Sequence, residues 1–148
     1  MIVDVEFHER YWYPDDGGEV WVAGYQLVDA EGHFVGRDAV PGGALVTWVA
    51  GAVHRPDALA SDLAAPGCPL ILRPEPANPH DSDAVAVDLR DRTPLGYVPR
   101  DFAPRVDASW HALVLRERRR TPRDPRDGLT MLLAPEEIRL SVRRPGRT

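Results

Sequence analysis

The chain holds one cysteine, no lysine and no long apolar run, and each scarcity removes a class of protein. A lone Cys68 excludes an internal disulfide framework and a cysteine-ligated metal site, which makes a reducing cytoplasm the expected compartment. The longest apolar stretch, Trp48–Val53, is far too short for a bilayer-spanning helix, so no membrane partner is expected. Met1–Arg10 alternates apolar and acidic residues without a basic start or apolar centre, and does not read as a secretory leader. No Walker loop and no glycine-rich dinucleotide fingerprint follows a strand, and no cofactor is expected. All 18 basic residues are arginine, which a GC-rich codon bias explains together with the alanine, glycine and proline load.

What is present is lopsided. The net charge of −5 argues against a general nucleic-acid coat. Residues 1–70 carry 3 arginines against 11 acids, a balance of −8, whereas residues 71–148 carry 15 against 12, a balance of +3. The second half can therefore present a basic face that the whole-chain charge conceals.

At 148 residues the chain has room for one domain with an elaboration. Ile2–Phe7 alternates as a strand does, Asp15–Gly18 is a turn signal, and Val20–Val28 is a second strand turned back by Asp29–Gly32 toward His33–Val35. The expected N-terminal unit is a β-rich hairpin or meander over 1–44, with its seam at Pro41–Gly43. Its Trp12, Trp21, Tyr25 and Phe34 either line a groove or pack a core. A second unit is expected over 45–143, followed by a frayed tail at 144–148. In it Leu45–Val53 reads as a strand, Pro56–Leu63 as a short helix opened by proline, and Pro69–Arg73 as a strand. Asp101–His111 reads as a second helix with Phe102, Val106 and Trp110 on one face. Ala112–Leu115, Gly128–Leu133 and Ile138–Val142 are strands, and Arg116–Asp127 between them is a charged, proline-broken loop. Many short strands and two short helices predict a mainly β fold built on a small barrel.

The chain is organised around residues 71–100. Prolines 74, 76 and 79 stiffen an extended loop, and Asn78-Pro-His-Asp81 reads as a tight turn. Ala84–Leu89 follows as a strand with Val85 and Val87 on one face, and Leu95–Val98 as another. Here Glu75-Pro-x-Asn-Pro-x-Asp81-x-x-Ala84-Val-x-Val87, with Leu95-Gly-Tyr-Val-Pro99 close behind, resembles the HIRAN domain. Val49-Ala-Gly-Ala-Val-His-Arg55 upstream and Gly67 before a hydrophobic strand fit the same pattern in the same order. The resemblance covers roughly residues 47–115 and leaves 1–46 outside.

It implies an OB-like β-barrel with small helical insertions that binds single-stranded DNA at its 3′ end without catalysis, in DNA repair or processing. A separately encoded helicase or nuclease is the implied partner. In that family, aromatic side chains after the first strand and in the turn stack on bases. The turn aspartate accepts from the 3′-hydroxyl, and the Gly-Tyr-Val-Pro segment contacts phosphate. Carried over by motif, these positions are His54, His80, Asp81, Tyr97 and Arg100, with Arg55 adjacent. The chain departs from DNA-binding members by carrying His54 and His80 for tyrosines and Val53 for an arginine. A histidine face is smaller, so each base gains less than the ~1–3 kcal/mol of an aromatic platform, while Arg55 restores the charge one position on.

Two other readings compete. His54, His80, Asp81 and Asp83 are metal-ligand types, as for zinc, and suggest a hydrolase, a metal-dependent phosphodiesterase or nuclease, although their spacing matches no ligand signature. Small barrels also bind peptides, and the acidic N-terminal half suits a protein contact. Cys68 reads as a small buried thiol.

Overall fold

A computed structural model describes residues 1–13, 18–36 and 40–144, so most of the expected Asp15–Gly18 turn and of the 144–148 tail lies outside the described residues. The chain is mainly β. Strands β1 (Ile2–Trp12) and β2 (Val20–Leu27) form an antiparallel hairpin, and β3 (Leu45–Trp48) follows it. Then come β4 (Pro69–Pro74), β5 (Val85–Leu89), β6 (Pro94–Tyr97), β7 (His111–Arg119), β8 (Gly128–Ala134) and β9 (Arg139–Arg143).

All nine strands join one sheet, and β7 is its hub. The first half of β7 pairs with β4, its second half with β2, and its other edge with β8, which in turn pairs with β3. From β4 the sheet continues through β5 to β6. Just past β3, Ala50 and Tyr97 exchange two backbone hydrogen bonds of 2.8 and 2.9 Å. That single pair links β6 back to β3, so β6-β5-β4-β7-β8-β3 encloses a small OB-like barrel. Strand β9 runs parallel to β1 and joins the N-terminal hairpin rather than a barrel strand.

Two cores follow from this layout. Val85, Val87, Leu89, Val114, Met131 and their neighbours fill the barrel. Val3, Val5, Leu27, Val46, Leu115 and Leu132 form the second core, between the N-terminal hairpin and the outside of the barrel. Strands β3, β7 and β8 feed alternate side chains into both, which is why Ala112–Leu115 and Met131–Ala134 read as unbroken apolar runs.

The structure corrects the sequence reading in several places. No α-helix spans Asp101–His111: only Ala103–Arg105 forms a 3-10 turn, and Val106 is already extended at φ −99°, ψ 123°. Pro104 favours the start of a helical turn but not its continuation, and burial of Phe102, Val106 and Trp110 against the barrel core substitutes for helical periodicity. The first helix, α1 (Pro56–Ala60), is shorter than expected because Ser61 is extended, its hydroxyl instead accepting from Leu63 N at 3.1 Å. Strand β7 runs on through Arg116–Arg119, four residues assigned to a loop, because pairing with β2 and β8 satisfies their backbone. Strand β5 is buried on both faces, Ala86 and Asp88 included, rather than on the Val85 face alone. Cys68 is half-buried, its Sγ 3.6 Å from Asp62 O.

Candidate functional site

Two special backbone positions shape the site. Gly51 takes a left-handed φ of 77° ahead of the Ala52–His54 turn, so the chain leaves β3 sharply and turns His54 and Arg55 outward. A Cβ on Gly96 would collide with the Ala50 carbonyl and come within 2.8 Å of Val49 Cγ1. Only glycine permits the approach that lets Ala50 and Tyr97 pair.

The Pro74–Asp83 loop is held from within. Asn78 Oδ1 accepts from His80 N at 2.9 Å and Asp81 N at 3.2 Å, while its Nδ2 donates to Glu75 Oε1 at 3.0 Å. Asp81 Oδ1 accepts from Asp83 N at 2.9 Å, so this carboxylate caps its own turn. Arg100 lies alongside, its guanidinium donating to His80 O at 3.1 Å with Nε 3.7 Å from Asp81 Oδ2. The latter is an ion pair too long for a hydrogen bond, so Oδ2 keeps capacity to accept from a ligand.

Glu75 joins this turn to the next strands. It accepts from Tyr97 Oη at 2.9 Å and from Arg73 at 2.8 Å, besides Asn78. The Asn78 amide, then Tyr97 and Arg73, hold the Glu75 carboxyl below its usual range against the opposing effect of desolvation. Reciprocally, the bond to Glu75 pushes the Tyr97 hydroxyl above its usual range. Arg73 also grips the buried Asp88 through two bonds of 2.9 and 3.2 Å, and this keeps its guanidinium firmly charged.

A groove of about 340 Å³ opens between the Gly51–Arg55 segment and β4–β6, with His54, Arg55 and Tyr97 on its walls and Glu75 and Arg73 at its side. His80, Asp81 and Arg100 do not line it. They form a second cluster, connected to the first through Tyr97–Glu75–Asn78. Hydrogen bonds through Glu75 and Asn78 thus join Tyr97 to His80, Asp81 and Arg100, while His54 and Arg55 meet Tyr97 only across the groove. Glu75 and Arg73 were missed as site organisers. Glu75 stands inside the quoted motif, but nothing in its spacing reveals three donors converging on it.

The groove lining holds Arg55 and Arg73 against Glu75 and Asp88, so it is close to neutral. Among the described residues the Arg55 side chain makes no ion pair, and it stands beside the Tyr97 ring as the one uncommitted cation there. No three of His54, His80, Asp81 and Asp83 converge on a common point. The ligand-type side chains that do meet are Asp29, Glu31 and His33, within 4.8 Å in a turn that Asp29 caps by accepting from two backbone N–H groups. Most of the 116–126 arginines are committed internally. Arg119 and Arg126 both bond the buried Glu117, Arg118 bonds Asp127, and Arg116 donates to Tyr25 O.

The chain thus presents a small OB-like barrel with a groove walled by His54, Arg55 and Tyr97 beside a carboxylate-bearing turn. Comparison with known families matches residues 43–133 to the HIRAN domain, and the chain belongs to that family. The HIRAN domain is known as a non-catalytic DNA-binding module. Comparison with curated proteins and with solved structures finds no match. Among the described residues no helix is long and apolar enough to cross a membrane.

Proposed function

We propose that this protein is a non-catalytic module that binds single-stranded DNA at its 3′ end. The observation that supports this reading most is the joint position of Asp81 and Arg100 next to the His54–Arg55–Tyr97 groove, tied together by Glu75 and Asn78. Asp81 Oδ2 accepts the terminal hydroxyl, and Arg100 holds the adjacent phosphate. The rings of Tyr97, His54 and His80 flank the last bases, and Arg55 takes a further phosphate. A 3′-phosphate in place of the hydroxyl brings negative charge against Asp81, so the same site rejects it. Such a module serves DNA repair or processing in company with a separate helicase or nuclease.

The test is fluorescence anisotropy with short labelled strands at low salt, comparing a free 3′-hydroxyl with a 3′-phosphate. The hydroxyl end binds more tightly in the wild type, and Asp81→Ala abolishes that preference. Arg100→Ala weakens both ends alike. Equal losses for both ends in both variants sink the role assignments, and absence of binding to either strand sinks the DNA reading in favour of a peptide ligand.

A further inference from the structure

The N-terminal hairpin, which lies outside the residues matched to the family, forms one wall of a second surface. A cavity of about 370 Å³ opens between β1–β2 and the barrel strands β3, β7 and β8, and Arg10, Trp12, Trp48 and Arg118 line it. Trp12 and Trp48 are each 53 % exposed, although the indole has the largest apolar body of any side chain to hide. Trp48 is braced edge-on by Phe102, with ring centroids 6.5 Å apart at 81°. Its orientation is therefore set before any ligand arrives.

Charge in this cavity opposes that of the surrounding sequence. Residues 1–70 balance to −8, yet among the described residues the lining has three arginines, Arg10, Arg116 and Arg118, against one carboxylate, Glu117, with Arg118 bonded to Asp127 beside it. Both oxygens of Glu117 are taken, by Arg119 at 2.8 Å and Arg126 at 2.6 Å. Arg10 has no ion pair among the described residues. Exposed indoles beside cations are the combination that single-stranded nucleic acid uses, stacking for bases and charge for phosphates. A peptide groove needs no such excess of arginine.

Shared lining residues also place the cavity in sequence with the proposed end-binding groove. A third cavity of about 230 Å³ shares Trp48, Arg118 and Thr130 with it, and shares Gly51 with the groove of His54, Arg55 and Tyr97. We propose that the hairpin extends the DNA-binding surface. A single strand held by its 3′ end runs past Gly51 and Val53, stacks on Trp48 and Trp12, and gives a phosphate to Arg10. This rests on the end-binding reading for its direction, but not for the hairpin contacts themselves.

Anisotropy on the full chain with thymidine strands of two lengths, a trinucleotide and one of about ten nucleotides, tests this directly. The wild type binds the longer strand roughly ten-fold or more tightly. Trp12→Ala removes most of that gain without changing trinucleotide affinity, and Trp12→Phe retains much of it. Equal urea midpoints for wild type and variants establish that each is folded. If length adds nothing in the wild type, or Trp12→Ala keeps the whole gain, the extended surface is refuted while end binding stands. If Trp12→Ala removes the gain and the wild type binds hydroxyl and phosphate ends equally, the surface stands and end recognition falls. Binding of neither strand refutes both.

Discussion

Replacing Glu75 by alanine removes the acceptor on which three side chains converge: Arg73 at 2.8 Å, Tyr97 at 2.9 Å and Asn78 at 3.0 Å. Each such bond contributes about 0.5–1.5 kcal/mol net. The simple sum overstates the loss, because the Glu75 side chain keeps 22 % exposure and water reaches the freed donors. Arg73 also retains its two bonds to Asp88. The expected cost is about 1–2 kcal/mol, equivalent to a fall of about 3–6 °C in Tm for a chain of this size. Glu75→Gln keeps an oxygen for Tyr97 and Asn78 but loses the charge facing Arg73, so it costs less than alanine. Acid adds a second signature. Because Asn78 above all holds the folded carboxyl below its usual value of 4.5, its contribution is full above that value and fades as pH falls through the lower folded one. Urea unfolding of wild type and Glu75→Gln between neutral pH and about pH 3 therefore gives a gap that is constant near neutrality and closes in acid. The same variants loosen Asp81 and Arg100 through Asn78, so 3′-end preference falls with stability. A wild-type urea midpoint for Glu75→Ala, with a gap that ignores pH, refutes the idea that Glu75 holds the turn.

Two further outcomes follow from the same geometry. Gly96→Ala forces backbone apart at the Ala50–Tyr97 pair and destabilises by about 1–3 kcal/mol, with hydrogen exchange accelerated first at the amides of Ala50 and Tyr97. Unchanged exchange there means the barrel does not depend on that closure. Salt dependence of DNA binding is shallow for short strands: Arg55 and Arg100 alone give a slope of log K against log salt of about −1.4, rising to about −2.1 when Arg10 joins on a longer strand. A slope steeper than about −4 on the trinucleotide points instead to the 116–126 arginines and contradicts their internal assignment.

The Asn-Pro-His-Asp turn was legible in the sequence because its causes are local: proline fixes φ, and asparagine and aspartate bond their own backbone. The Gly51 corner was not: Leu45–Val53 reads as one strand, but the strand ends at Trp48 and Gly51 turns the chain at φ 77°. The family followed from motifs in order, and so did the OB-like barrel. The end of helix α1, the extended Val106 and the reach of β7 through Arg119 were not legible. Each is decided by a partner distant in sequence that satisfies the backbone or buries the side chain. The arginine run shows the difference most sharply. In the sequence it is a solvated basic loop diluted by Glu117, Asp124 and Asp127. In the fold Glu117 is buried and draws Arg119 and Arg126 inward, because a buried carboxylate requires paired donors. Sequence alone determined which residues can turn, stack or carry charge. Only tertiary structure decided that Glu75 joins Tyr97 to the Asp81 turn, and that Trp12 and Trp48 face one cavity, since both depend on strands far apart in the chain being brought side by side.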